Sequence, residues 1–269
     1  MWVEIPLRPQ VRPVVRSADE NCRAEAVTAK WQQDIGPAVS SQPGPRPSQV
    51  ALKGKIVTME PLTATHAPGL YDSVKGDDKS HLWTYLGDES YASLEELRTA
   101  VTAKSESEDP LFFAIVHNKT KVPLGWAALM RIDAKNRVIE IGNILFTPLM
   151  QRNTSATEAM YIMAKYVFED LRYRRYEWKC DNFNVPSKKA AIRLGFTFEG
   201  IFRQHMIYKN RSRDTAWFSM IDSDWPVIKN AFEAWLDDAN FDKEGKQLRR
   251  LEELRASLPD QQGPVTLKI

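Results

Sequence analysis

"RVIEIGNILFTPLMQRNTSATEAMY", residues 137–161, decides the fold. Its first half reads as a strand, Val138 to Phe146, apolar on both faces as strands inside a sheet are, and interrupted by Glu140 and Asn143. Its second half begins as a turn of hydrogen-bonding residues and runs into an amphipathic helix. Met160, Met163, Ala164, Val167 and Leu171 recur at helical spacing, which leaves Glu158, Lys165, Glu169 and Arg172 mainly for the outer side. A helix start exposes free N–H groups and the positive end of the helix dipole, so this junction suits an anion such as a phosphate.

Upstream, "LFFAIVH" (111–117) and "PLGWAALMRI" (123–132) join the strand through the short polar turns "NKTKV" and "DAKN", which makes an antiparallel meander. Before it, "KIVTMEPL" alternates like a strand, and "SLEELRTAV" sets Leu94, Leu97 and Val101 at helical spacing behind an N-cap at Ser93. Downstream, "RRYEWKC" reads as a strand and "SKKAAIRLGF" as a short helix stopped by Gly195. The strands "FTFEGIFR" and "DTAWFSMID" flank the turn "KNRSR", and a last helix starts near Val227 with Phe232, Trp235 and Leu236 on one face. The order predicts an α/β (α+β) domain with a mixed sheet, and a ligand at the strand–turn–helix junction of 146–157. Repeated proline makes residues 1–53 an N-terminal arm, residues 54–240 hold the domain, and 241–269 form a charged, helical, peripheral tail.

A chain of 269 residues, 43% hydrophobic and 27% charged, has an ordinary globular composition. Its net charge of +2 gives nucleic-acid binding no support and favours a small-molecule partner. Cys22 and Cys180 lack metal-ligand or redox spacing and are expected to be reduced thiols, and His66, His81 and His117 form no ligand set, so no metal is expected. No apolar run reaches the length of a membrane span and the N-terminus lacks the apolar run of a secretory signal. A soluble, cytoplasmic monomer or homodimer is expected.

Taken together and in order, "EIGNILFTP", "QRNTSATEA", "NVPSKKAAIRLGF", "EGIFRQH" and "RDTAWFSMI" resemble the GCN5-related N-acetyltransferases (GNAT), within them the ribosomal-protein-acetyltransferase-like (RimJ/RimL-type) branch, over roughly residues 54–225. The resemblance implies a mostly antiparallel twisted sheet flanked by helices, and acetyl-CoA as co-substrate. It implies that the turn Gln151, Arg152, Asn153, Thr154, Ser155 and Ala156 cradles the diphosphate, with Thr154 and Ala156 standing where the family usually has glycines; read alone, the turn is an ordinary polar helix cap. It further implies that the strand splays from its neighbour, so that main-chain groups of Ile144, Leu145 and Phe146 meet the pantetheine arm and an N–H faces the thioester oxygen.

Glu140 is the candidate general base for an amine that arrives as ammonium; the plain alternative is a structural glutamate paired with an arginine. Asn184 is a good N-cap, and Ser187 lies on the apolar stripe with Ala190, Ala191 and Leu194, where a hydroxyl needs a partner. The resemblance puts Ser187 near the CoA sulfur as donor to the departing thiolate, with Asn184 beside it. Lys189 and Arg193, with Lys188, are either a solvated face or a site for the ribose phosphate. Trp83, Tyr85, Phe202, His205 and Trp217 are candidate walls of an amine pocket, or core, with His205 an alternative base. Arg213-Asp214 reads as a turn-stabilising pair. The expected activity is direct acetyl transfer to the primary amine of a small molecule. The rivals are a protein N-terminal acetyltransferase and a non-catalytic acyl-CoA-binding module, and behind them an unrelated fold that holds some other phosphate.

Overall fold

The computed structural model describes residues 35–258. The chain falls into two units, Met1–Ser40 and Ser41–Ile269. Residues 35–40 of the first carry no regular element, and the expectations for Cys22 and for residues 1–34 lie outside the described residues. In the second unit, one sheet of eight strands runs from edge to edge as β1 (Leu52–Lys53), β2 (Val57–Pro61), β3 (Leu111–His117), β4 (Pro123–Asp133), β5 (Val138–Phe146), β6 (Arg175–Asp181), β8 (Arg211–Ile221) and β7 (Thr197–Tyr208). Its neighbours are antiparallel except β5 and β6, which run parallel. The helices are α1 (Ala67–Val74), α2 (Leu94–Ser105), α3 (Thr154–Lys165), α4 (Val185–Leu194), α5 (Trp225–Leu236) and α6 (Leu251–Ala256).

The local signals act where the sequence carries them. Ser93 caps α2 by accepting from the Glu96 N–H at 3.2 Å, Asn153 caps α3 from Ser155 at 3.2 Å, and Asn184 caps α4 from Ser187 at 3.1 Å. Gly195 ends α4 at φ 103°, a conformation that costs a side-chain-bearing residue. The β7–β8 turn is tighter than "KNRSR" suggested. Lys209 and Asn210 alone make it, at φ 48° and 57°, and Arg211 to Arg213 already pair with Tyr208 to Met206.

Two cores form, one on each face of the sheet. Against the first lie α3, α5 and α6, with Ile139 and Ile141 of β5 and Tyr176, Trp178 and Cys180 of β6 pointing into it. The second is smaller: α1 and α2 cover Phe112, Ala114, Trp126, Ala128 and Leu145. Beyond Leu145 this second face passes to β6 and β8 and turns polar.

A bulge in β5 explains why that strand is apolar on both sides. Between the pairs Ala128↔Gly142 and Trp126↔Leu145, β5 spends one residue more than β4, and Asn143 takes φ 49°. The extra residue moves the apolar set from one core to the other. The approach of the two strands there depends on Gly125, where a Cβ would stand 2.1 Å from the Leu145 carbonyl oxygen. Gly125→Ala is expected to cost about 2–3 kcal/mol by forcing the strands apart, measured by denaturant unfolding.

Glu158 corrects the helix reading. It is 4% exposed, and its carboxylate accepts the backbone N–H groups of Lys55, Ile56 and Val57 at 2.7–2.8 Å, so it closes the β1–β2 connection from inside. The tail differs as well: Leu251 and Leu254 are buried, and Arg255 donates to the last carbonyls of α4, Ile192 and Arg193. On the arm, Gly44 donates to the Ala134 carbonyl and Ser48 to the Tyr166 hydroxyl. Both flanking segments therefore help to build the unit that starts at Ser41.

Candidate active site

The centre of the sheet is forked. β5 and β6 pair only from Val138↔Arg175 to Ile141↔Trp178, after which β5 runs on to Phe146 and β6 to Asp181 without pairing. The bulge at Asn143 supplies the bend that separates them. One edge of β5, from Gly142 to Phe146, is thereby left to accept something extended.

The turn before α3 stands at the open end of β5. Its positive φ falls on Arg152, at 58°, and not on Thr154, which is already helical, so the missing glycine at 154 costs nothing in backbone conformation. The N–H groups of Arg152 and Thr154 carry no hydrogen bond among the described residues, while Ala156 donates to the Asn153 carbonyl. Ser155 is 1% exposed and its hydroxyl has no partner among the described residues. A buried, unsatisfied hydroxyl beside free N–H groups at a helix start is a combination that an anion would complete. Gln151 instead turns its amide to the Phe146 carbonyl, at 3.1 Å.

Ser187 has the partner its inward position required: its Oγ accepts from Trp178 Nε1 at 3.0 Å, which leaves its own proton to give. Burial pushes the pKa of the nearby Cys180 thiol up, and the neighbouring Ser187 hydroxyl pulls it down. Asn184 donates its N–H to the Asp181 carbonyl, so the cap, the serine and the end of β6 form one unit at the fork. Lys189 is exposed and lines an open pocket of about 380 Å³ with Ala190, Ile192, Arg193 and Glu252. Arg193 turns inward: its guanidinium donates to Thr157 Oγ1 at 3.0 Å and lies 5.0 Å from the Trp235 ring. It ties α3 to α5, which removes it from the set free to meet a phosphate.

The polar face of β6 and β8 carries a chain of charges. Glu140 is buried, and its Oε2 meets Arg131 at 2.6 Å and Lys179 at 2.8 Å. Lys179 also binds Glu177, Glu177 binds Arg175, and Arg175 binds Glu199. The negative charge of Glu140 is thus already matched, as its structural reading proposed. Arg131, Lys179 and Asp181 were not singled out in the sequence, although "RYEWKCD" shows the signal: Arg175, Glu177, Lys179 and Asp181 alternate with core residues at a period of two.

The five expected pocket residues separate. Trp83 belongs to the second core, 1% exposed and packed on Tyr91 and Trp126, which corrects its assignment as a wall. Phe202 packs on Trp217 at 4.4 Å, and His205 lies edge-on to Phe202. His205 shares a hydrogen bond with Thr215 Oγ1 at 3.0 Å; its pKa is lowered by burial and then by Arg213, Arg131 and Lys179. Tyr85 reaches over the fork to donate to the Phe183 carbonyl at 3.1 Å. Beside it Lys209 donates to the Trp83 and Asp88 carbonyls, both at 2.8 Å, and Tyr208 to the Thr84 carbonyl at 3.4 Å. The segment 83–88 is therefore a strap fastened to the end of β6 and to the β7–β8 turn. Among the described residues no group of three His, Cys, Asp or Glu could hold a metal, and no helix is long and apolar enough to cross a membrane.

Comparison with known proteins agrees with this architecture. The family model of the acetyltransferase (GNAT) domain matches residues 57–197, just over half of the chain. The crystal structure of a GCN5-related N-acetyltransferase from Brucella melitensis is 46% identical with a TM-score of 0.78, over 80% of this chain and 98% of that one. The uncharacterized N-acetyltransferase p20 of Bacillus licheniformis is 30% identical over 113 residues, 42% of this chain and 63% of the relative, so the match spans a little under two thirds of p20. RimL, a ribosomal L7/L12 alpha-N-protein acetyltransferase in complex with coenzyme A, shares the fold at 19% identity and a TM-score of 0.56, over 65% of this chain and 99% of that one. The mixed sheet read from the sequence is the one found here, and the chain belongs to the GCN5-related N-acetyltransferase (GNAT) family and is an acetyltransferase.

Proposed function

We propose that this acetyltransferase passes the acetyl group of acetyl-CoA directly to the primary amine of a small molecule. The observation that carries the donor assignment is the fork of β5 and β6 opening beneath a helix start with free N–H groups and an unsatisfied Ser155 hydroxyl. In this reading residues Arg152 to Ser155 hold the diphosphate, the free edge of Ile144 to Phe146 pairs with the pantetheine arm, and Lys189 faces the ribose phosphate. Acetyl-CoA supplies an activated thioester; the chain supplies placement and protons. Ser187, its lone pair engaged by Trp178, offers its proton at the sulfur side.

The strap supports a small acceptor over a protein terminus. A polypeptide would need an open groove, whereas Tyr85, Tyr208 and Lys209 bind the strap across the end of the fork. Glu140 serves here as the anion that fixes Arg131 and Lys179 under the acceptor. The test is thiol release from acetyl-CoA with a panel of small amines and, in parallel, with peptides bearing free N-termini. Turnover of peptides alone would replace this acceptor class. Acetyl-CoA binding without turnover of any amine or peptide would leave a binding module. Ser187→Ala is expected to lower kcat about 10–100-fold with the acetyl-CoA Kd unchanged, and an unchanged kcat would remove Ser187 from the reaction.

A further inference from the structure

On the polar face of β6 and β8 the charges Arg131, Glu140, Lys179, Glu177, Arg175 and Glu199 are all joined in ion pairs. Two are not. Asp181 is 5% exposed, with Oδ1 accepting the Phe183 N–H at 2.8 Å and Oδ2 only the Tyr208 hydroxyl at 3.3 Å; among the described residues it has no cation. Arg213 spends Nε on Thr215 Oγ1 at 3.1 Å and lies 5.8 Å over the Tyr208 ring, and among the described residues both its Nη atoms are without a partner. It is not paired with Asp214, whose carboxylate accepts the Gln204 N–H.

These two groups share one place. Thr215 stands directly opposite Asp181 in the β6–β8 register, and Arg213 precedes Thr215 by two residues, on the same side. Tyr208 touches both, its hydroxyl proton shared between Asp181 Oδ2 at 3.3 Å and the Thr84 carbonyl at 3.4 Å, and its ring facing Arg213. Asp181 is also the residue after Cys180, the contact of Ser187, and successive strand residues point to opposite faces. It therefore faces the acceptor side at the level where Ser187 closes the other side of the fork. The bond to Phe183 is a turn contact and accounts for Oδ1 alone. A carboxylate this buried without a cation is costly, and a guanidinium fork with two idle nitrogens is shaped for a carboxylate.

The geometry points to a zwitterionic acceptor, an amino acid, with its ammonium on Asp181 and its carboxylate on the Nη atoms of Arg213. This rests on the acetyl-transfer reading and names its substrate class. The first ammonium proton passes to Asp181 Oδ2. The nitrogen lone pair then forms the C–N bond to the thioester carbonyl carbon, the C–S bond breaks with its electrons going to sulfur, and the second nitrogen proton ends on that sulfur through Ser187 or water.

The experiment uses the full chain saturated with CoA and titrates each of the twenty proteinogenic L-amino acids, its methyl ester and its decarboxylated amine by calorimetry, then repeats the set with acetyl-CoA by thiol release. At least one amino acid is expected to bind, with its ester and decarboxylated amine at least 30-fold weaker. Arg213→Met should raise the KM of the amino acid to that of the ester while leaving the ester unchanged, and Asp181→Asn, which keeps the turn contact, should lower kcat about 10-fold or more. Binding without turnover would uphold this assignment and sink the acetyl-transfer reading. Absence of amino-acid binding, equal affinity for esters and decarboxylated amines, or an Arg213→Met variant that still prefers the zwitterion would overturn it.

Discussion

Replacing Thr154 by aspartate is expected to abolish acetyl-CoA binding while leaving the free protein as stable as before. Thr154 is the first residue of α3, and its N–H is one of the groups without a partner among the described residues. A carboxylate there complements the helix dipole, which is worth about 0.3–1 kcal/mol to the unliganded fold. Against a bound diphosphate the same charge repels. At a separation of about 5 Å and an effective dielectric near 20, one pair of like charges costs roughly 3 kcal/mol, or more than about 100-fold in affinity. Calorimetric titration with acetyl-CoA and with CoA, alongside thermal unfolding, separates the two effects. A variant that binds both ligands as the wild type does would return the turn to an ordinary helix cap.

The second large effect belongs to Glu158. Its carboxylate answers three consecutive backbone donors at the β1–β2 connection, and no water-facing alternative exists for a side chain 4% exposed. Glu158→Ala would strand those donors, and hydrogen bonds to a charged group are worth about 1.5–3 kcal/mol each before relaxation. Allowing for partial collapse and hydration of the turn, a loss of about 3–5 kcal/mol is expected, which lowers Tm by roughly 10 °C in a unit of this size. Glu158→Gln, which keeps one acceptor oxygen, should recover part of it. A shift below about 1 kcal/mol for Glu158→Ala would show that water replaces the carboxylate without cost.

Acetyl-CoA binding should be nearly indifferent to Glu158→Gln at temperatures where the variant is folded, because the residue faces the β1–β2 turn and not the fork. The two predictions thus probe opposite properties of one helix: the ligand contact expected of its first turn, and the bonds to the fold made from its second.

Much of this was legible along the chain. The meander, the helix after it, the caps at Ser93 and Asn184 and the stop at Gly195 are local events, decided by neighbours a few residues apart, and each is found where its pattern lies; the polar turn before α3 is a cap as read, with Asn153 as the capping residue. The inward serine at 187 also announced its need for a partner, though not that Trp178 would meet it. Glu158 was misread for a definite reason. Helical periodicity says which side of α3 faces the sheet, but it cannot say that the β1–β2 turn folds back over the helix from a hundred residues away.

The sequence by itself determined the order and type of the elements, the family, and the place of the strand–turn–helix junction, because those follow from periodicity and from residue chemistry over short distances. Only the tertiary structure decided which charges meet. Strand register set Glu140 beside Lys179 and Arg131, the bulge at Asn143 opened the fork, and the pairing of β6 with β8 placed Asp181 and Arg213 on one side of the sheet, neither with an ion-pair partner among the described residues. Charge pairing is a sum over distances between strands far apart in the chain, and a single residue of register reverses every side chain it places.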